Sequence, residues 1–153
     1  MIKVNVFSEE KSWNQKLKKK DIFFNNVCKS FPKKFKFINK KVHLSLLLSN
    51  NKKIKRLNKK FRKKDKHTDI LSFPFEKIQK NSKKFYLGDI IISLNYLDKP
   101  KNLSDNDFKL KLIKIFIHGF LHLLGFDHIK FKDYKKMFKE EKNIYQSVIK
   151  KIY

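Results

Sequence analysis

Three histidines stand close together in the C-terminal half of the chain. His118 and His122 are four positions apart, Gly125 follows three residues later, and His128 comes three residues after that. Four residues of α-helix turn the chain about 40° past a full circle, so the first two imidazoles point nearly the same way and can share one metal ion. A glycine that ends the helix can reverse the chain at little steric cost and bring the third imidazole to the same ion.

This spacing predicts a catalytic rather than a structural metal site. Three neutral histidines leave the fourth position of a zinc ion open to water, whose pKa then falls toward ~7. Nickel or iron would also suit three histidines and water. The alternative is that the histidines are buried for packing, in which case each needs a polar partner in an apolar wall. The sequence predicts one Zn²⁺ per chain and no other cofactor, with the metal ligands His118, His122 and His128.

The metzincin zinc peptidases share this histidine spacing, which makes a zinc metallopeptidase one alternative function. Those enzymes carry a glutamate directly after the first histidine, and this glutamate is the general base for peptide hydrolysis. In this chain the position is Gly119. A peptidase would need another carboxylate as its base, so the sequence argues against peptide hydrolysis.

A core helix and a turn must position these histidines. Residues 108–124 are apolar on most sides, which predicts a helix that runs through the core, and Ser104 with Asp107 forms a capping-box-like start. Residues 88–94 are the best candidate for a central strand, whereas Pro74 favours an edge strand or the end of a strand. Apolar patterns predict the other elements, which are strands at 2–6, 42–48 and 68–75 and helices at 21–31, 51–61 and 130–151.

These elements predict one α+β domain over residues 1–153. We expect a small mixed β-sheet packed with helices, and a metal site on a core helix and the turn after it. No internal repeat and no interdomain linker is visible in the sequence. In the last helix, the predicted buried stripe consists of Phe131, Tyr134, Phe138, Tyr145 and Val148.

The composition is strongly basic, with a formal net charge of +25. Such a charge ordinarily indicates a polyanionic partner such as nucleic acid. The chain also has no alanine and only three glycines, a bias typical of AT-rich codons, which add lysine to solvated surfaces. Cys28 is the only cysteine, which suits a reducing cytoplasm. No apolar run resembles a signal peptide or a membrane span, so we expect a cytoplasmic protein without a membrane partner.

With Gly119 after the first histidine, the histidine stretch resembles the signature of the YbeY family of bacterial endoribonucleases and rRNA maturation factors. Residues 57–65 running into 68–75, and residues 87–90 (Leu-Gly-Asp-Ile), resemble the same family in order and spacing. The resemblance implies a zinc-dependent hydrolase that cleaves single-stranded RNA. It further implies a role in rRNA maturation, at the 3′ end of the small-subunit rRNA, and in ribosome quality control.

The partners that this resemblance implies are single-stranded RNA, rRNA and the small ribosomal subunit, and no DNA is expected. The composition leaves open a second alternative function, a non-catalytic ribosome-assembly factor. In such a protein zinc would only stabilise the fold, and the basic surface would bind rRNA.

The resemblance also implies that Arg62 is a catalytic arginine. RNA cleavage adds negative charge at the phosphate, and a planar guanidinium can bind two phosphate oxygens at once. Nearly every basic residue of this chain is lysine, and Arg62 is one of only two arginines. The alternative is a surface arginine without a role in the reaction.

Three aspartates near these motifs are candidates for supporting a ligand histidine or for acid–base chemistry. Asp127 adjoins a ligand and either orients an imidazole, takes a proton from water, or caps the turn after Gly125. Asp69 and Asp89 either act in the same way or anchor the ends of strands.

Overall fold

The computed structural model of the chain describes residues 1–76, 82–101 and 103–153. Within these ranges four strands form one mixed sheet, namely β1 (Ile2–Ser8), β2 (Lys41–Ser49), β3 (Ile70–Pro74) and β4 (Lys84–Ser93). The spatial order is β1-β2-β4-β3, with β1, β2 and β4 parallel and β3 antiparallel to β4. The predicted α+β class with a small mixed sheet is confirmed, as are the edge position of Pro74 and the central position of β4.

The helices of the described ranges are α1 (Ser12–Lys16), α2 (Lys20–Lys29), α3 (Asn51–Arg62), α4 (Leu94–Leu97), α5 (Asp105–Leu123) and α6 (Phe131–Ile152), with a 3₁₀ turn at Lys33–Phe35. The sequence patterns do not indicate α1 or α4, which are about one turn each. The predicted start of α5 is confirmed, because the Ser104 hydroxyl accepts the Asp107 backbone N–H at 3.0 Å. None of these helices is long and apolar enough to cross a lipid bilayer.

Side chains that alternate along the strands divide the core between the two faces of the sheet. Ile90 and Ile92 lie in the main core with α2, α5 and α6, whereas Ile91 lies in a smaller core under α3. Trp13 of α1 is fully buried in the main core, edge-on to Phe108 at the start of α5 with ring centroids 6.1 Å apart. Its indole N–H donates to a backbone carbonyl at the end of β2 at 3.0 Å, which satisfies its polar group.

The pairing of β3 with β4 depends on Gly88. This residue has a φ of +137°, and a Cβ there would lie 2.2 Å from the carbonyl oxygen of Phe73 on the neighbouring strand. Both the backbone conformation and the lack of space therefore require glycine at this position.

The buried stripe predicted for α6 is wrong in part. Met137, Ile144 and Val148 are buried, and of these only Val148 belonged to the predicted set. The predicted aromatic residues of the first two turns, which are Phe131, Tyr134 and Phe138, are exposed. The apolar residues of α6 form two stripes that are offset by about one residue. Because aromatic side chains are large and apolar, the sequence pattern favoured the stripe that is exposed in the structure. The smaller side chains face α5.

Candidate metal centre

The last two turns of α5 carry the first two histidines. The ring centroids of His118 and His122 are 4.7 Å apart, and their Nε2 atoms are 3.1 Å apart. Both side chains are partly buried. The spacing of four residues therefore places two nitrogen donors side by side at the end of a buried helix.

The turn after α5 brings His128 to the same place. Gly125 has a φ of +90°, and its N–H donates to the carbonyl of His122 at 3.0 Å. Among the described residues, no atom beyond its chain neighbours lies within 4 Å of a Cβ built on Gly125. The positive φ of the backbone, rather than a lack of space for a side chain, thus favours glycine here. The exposed ring of His128 lies 5.4 Å from that of His118 and 5.0 Å from that of His122, between centroids.

Hydrogen bonds at the outer ring nitrogens orient both helix histidines. Nδ1 of His118 lies 2.5 Å from Oε1 of Glu141 on α6, and Nδ1 of His122 lies 2.9 Å from the carbonyl oxygen of Phe126. A carbonyl only accepts, so His122 carries its proton on Nδ1 and keeps a lone pair on Nε2. Burial, and after it the neighbouring His118, lowers the pKa of His122 below its usual 6.5. This favours the neutral form that binds a metal.

The arrangement fits a metal ion with nitrogen ligands. His118, His122 and His128 each offer one ring nitrogen, and all three atoms lie within 4.8 Å of one another. Two ligands of a tetrahedral zinc ion, each about 2.0–2.1 Å from the metal, are about 3.3 Å apart. The Nε2 atoms of the two helix histidines are separated by 3.1 Å, close to that value. The three histidines can therefore hold one metal ion.

Gly119, where a metzincin has its glutamate, faces the sheet. A Cβ there would lie 2.5 Å from Cδ1 of Ile70, 3.1 Å from Oγ of Ser72 and 3.3 Å from Cγ2 of Ile90. The Ser72 hydroxyl also donates to the Gly119 carbonyl at 3.1 Å. The backbone of α5 thus packs directly on side chains of the sheet, with no side chain of its own at this position. A glutamate in this position would collide with β3 and β4, which argues further against a peptidase.

A family model and several curated relatives that match this chain share one name. The family model described as "Endoribonuclease YbeY" matches residues 5–149. The chain belongs to the YbeY family. It is 59% identical over 152 residues to an endoribonuclease YbeY of Pelagibacter ubique (strain HTCC1062), covering 99% of each protein. It is 36% identical over 108 residues to one of Persephonella marina, covering 70% of this chain and 71% of that relative. The resemblance inferred from the three motifs is thereby confirmed.

A solved structure resembles this YbeY-family chain along most of its length. It is the solution structure of TM1509 from Thermotoga maritima, with a TM-score of 0.55 and 28% sequence identity. The match covers 97% of this chain and 89% of that one. The fold described above is therefore shared by both proteins.

Arg62, the predicted catalytic arginine of this YbeY-family chain, ends α3 beside the edge strand. Its Nη2 donates to the Ser72 carbonyl at 3.1 Å, and its guanidinium carbon lies 5.9 Å from the centre of the Phe73 ring. Ser72 in turn binds Gly119, the neighbour of His118. Within the described ranges no hydrogen bond joins Arg62 directly to a histidine. Its connection to α5, the helix that carries His118, runs through the two hydrogen bonds of Ser72 on β3.

Two of the predicted aspartates bind backbone close to their own positions. Asp127 accepts the backbone N–H of His128 at 2.7 Å. Asp69 accepts the N–H of Ile70 at 2.8 Å and the hydroxyl of Thr68 at 3.1 Å, at the start of β3. Asp127 therefore adjoins the histidine cluster, while Asp69 anchors the end of a strand.

Asp89, the third aspartate, lies on the other face of the sheet from the histidines. Side chains alternate along β4, and because Ile90 points toward α5, the neighbouring Asp89 points to the opposite face. There it lines a cavity of about 500 Å³ together with Leu57 and Phe61 of α3. Its Oδ1 accepts the Tyr86 hydroxyl at 2.5 Å. Burial, followed by this hydrogen bond, raises the pKa of Tyr86 to about 12. The structure does not bring Asp89 to the candidate metal centre.

Glu141 is the residue of this site that the sequence patterns did not single out. It lies on α6, 23 residues after His118, and no motif connects the two. One signal could have found it, because Glu141 falls within the apolar stripe of Met137, Ile144 and Val148 at helical spacing. A carboxylate on a buried stripe needs a polar partner, and here that partner is a ligand histidine.

Proposed function

We propose that this YbeY-family chain is a zinc-dependent endoribonuclease that cuts single-stranded RNA. We further propose that it acts in the cytoplasm, in maturation of the 3′ end of the small-subunit rRNA and in ribosome quality control. One observation carries the proposal, which is the convergence of three histidine nitrogens within 4.8 Å beside an exposed turn. The name of its relatives gives the substrate class, and the histidines supply a site for the chemistry.

The residues that would hold the metal are His118, His122 and His128. When bound there, zinc supplies a Lewis acid that polarises a phosphate oxygen and brings the pKa of a water molecule to ~7. Glu141 and the Phe126 carbonyl keep the helix imidazoles in the orientation that presents Nε2. The exposed side of the cluster, next to the third histidine, leaves room for a phosphodiester.

Arg62 would bind the phosphate as its negative charge grows. The Ser72 carbonyl and the face of Phe73 hold the guanidinium in place, and a guanidinium has five N–H groups, so donors remain for two phosphate oxygens. The surrounding surface is strongly basic, since α3 and the residues just after it carry Lys59, Lys60, Lys63 and Lys64. Such a surface attracts a polyanion.

The deciding experiment combines metal analysis with an RNA cleavage assay on the purified chain. We expect about one zinc per chain, cleavage of single-stranded but not duplex RNA, and loss of cleavage with a chelator. His118→Ala should lose zinc and cleavage together. Cleavage retained without metal would contradict the proposed chemistry, and digestion of an unstructured protein would indicate a peptidase instead.

Arg62→Ala and its control separate cutting from binding. We expect Arg62→Ala to lower the rate of cleavage while zinc content is unchanged, and Arg62→Lys to restore only part of the rate because an ammonium cannot form the bidentate contact. Arg56→Ala, an exposed arginine of the same helix, should leave cleavage intact. If Arg62→Ala leaves rRNA processing intact while charge reversal of surface lysines abolishes it, the chain is a binding factor.

A further inference from the structure

Exposed aromatic side chains line the beginning of α6. Phe131, Tyr134 and Phe138 are 71%, 49% and 54% exposed, although each could have packed into a core. Within the described ranges, the rings of Tyr134 and Phe138 are 17° from parallel, with centroids 6.1 Å apart. Two large rings are thus arranged nearly parallel and in contact with solvent, an arrangement that folding alone does not require.

The rings of Tyr134 and Phe138 lie next to the candidate metal centre. One cavity of about 200 Å³ is lined by His118, His128, Tyr134, Met137, Phe138 and Glu141. A molecule bound at the metal ligands would therefore also meet the two rings. Met137 forms the floor of this cavity, since it is buried.

Several lysines lie on the same turns of α6 as the aromatic side chains. Lys135 places Nζ 4.7 Å from the centre of the Phe131 ring, and Lys136 places Nζ 5.7 Å from that of Phe126. The same turns of α6 also carry Lys132 and Lys139. Flat apolar rings among cations fit a ligand that has both a flat face and negative charge.

We propose that Tyr134 and Phe138 stack an unpaired base of the RNA next to the bond that is cut. The proposal rests on the proposed ribonuclease function and adds a substrate-binding element to it. Every base has a π-face, so the contact is tolerant of sequence, but a base in a duplex is already stacked on its neighbours and cannot present its face. The aromatic pair thus favours single-stranded over duplex RNA.

A protein partner fits this surface less well. Lysine is depleted from the centres of protein interfaces, whereas the turns of α6 that carry these rings also carry four lysines. A second copy of this chain would bring another net charge of +25 against the same basic surface, and like charges oppose such contact.

The test is the fluorescence of single-stranded RNA that carries 2-aminopurine at successive positions, mixed with the zinc-loaded chain and recorded before cleavage. Stacking on an aromatic ring quenches this base. We expect quenching at one position near the cut, loss of quenching in Tyr134→Ala and Phe138→Ala, and retention in Tyr134→Phe. Phe138→Leu, which keeps apolar volume without a π-face, should lose it. Tyr153→Ala, which removes an exposed ring at the far end of α6, is the control.

Kinetics provide the second measurement. The two alanine variants should raise KM for single-stranded RNA roughly tenfold with little change in kcat, because a contact made equally before and during reaction affects binding alone. The dependence of KM on salt should not change, since no phosphate contact is lost.

The outcomes separate this proposal from the proposed function. Cleavage without quenching at any position, or quenching retained in Phe138→Leu, overturns the stacking proposal and leaves the ribonuclease proposal standing. Quenching that depends on the rings, in a chain that never cuts RNA, supports the stacking and contradicts the proposed chemistry. Variants that alter only the sedimentation of the protein show an interface between copies, which overturns the stacking proposal.

Discussion

The two helix histidines and the turn histidine are held in different ways. His118 and His122 lie on a helix buried against the sheet, and each has a partner for its outer nitrogen. His128 is exposed on a turn, and its hydrogen bond to Asp127 involves the backbone N–H rather than the ring.

This difference indicates which part of the site exists before metal binds. The helix pair is already close to the separation that zinc requires, so binding there needs little reordering. The ring of the turn histidine is held less firmly, because among the described residues it forms no hydrogen bond of its own, unlike the rings of the helix pair. We infer that the helix pair determines affinity and that the turn histidine closes the site, which the following variants can test.

Replacing a helix histidine should cost the most. We expect His122→Ala to weaken zinc binding by about 100-fold or more, since losing a ligand exceeds the roughly 10- to 100-fold loss from removing a ligand's supporting hydrogen bond. His128→Ala should lose less, because the nitrogen pair on α5 remains. Competition for zinc with a chromophoric chelator measures both. An equal or larger loss in His128→Ala would mean that the turn histidine is the better-held ligand.

Removing the partner of His118 should have the next largest effect. Glu141→Ala leaves the His118 Nδ1 without its carboxylate, and we expect zinc affinity to fall about tenfold or more. The matched control is Glu140→Ala, because the neighbouring carboxylate binds Lys34 instead. The same chelator competition provides the measurement. If both variants bind zinc equally well, Glu141 does not orient the ligand.

Gly119→Ala tests the packing of the helix that carries the pair. The new methyl group would press on Cδ1 of Ile70 at 2.5 Å, and overpacking of this kind lowers the free energy of unfolding by about 1–3 kcal/mol. Ile70→Val removes that methyl group, so the double variant should recover part of the loss. Urea unfolding measures each variant. Additive losses would show that the two positions do not compete for space.

Gly125→Ala tests the turn and should have the smallest effect. No crowding is expected there, so the cost is the positive φ alone, about 1–2 kcal/mol for an ordinary residue. Gly125→Asn should cost less, because asparagine adopts this conformation more readily. Urea unfolding again gives the values. A Gly125→Ala chain as stable as the unmodified protein would mean that the turn does not need the left-handed conformation.

The sequence predicted well those features that depend on local spacing. The histidine cluster follows from a spacing of four residues and one glycine, and the strands follow from alternation. Partners distant in sequence were missed, since nothing local connects Glu141 with His118. The position of Asp89 away from the histidines could not be read from the sequence for a related reason, because the face to which a strand residue points depends on the register of the whole sheet.

The exposed rings of α6 were predicted as buried because hydrophobicity and core position usually coincide. The choice between two apolar stripes on one helix depends on which stripe meets α5, and a single sequence does not contain that contact. Arg62 is intermediate between these cases. Its segment was recognised from the family motif, while its link through Ser72 to Gly119 became visible only in the structure.

Trp13 gives this chain a natural optical reporter. It is the only tryptophan, and it contacts the first turn of α5, about 15 Å along the helix axis from the first metal ligand. Its emission should lie at short wavelength while the indole is buried and shift to the red once water reaches it. The emission wavelength of this one tryptophan can therefore distinguish loss of the metal from loss of the fold.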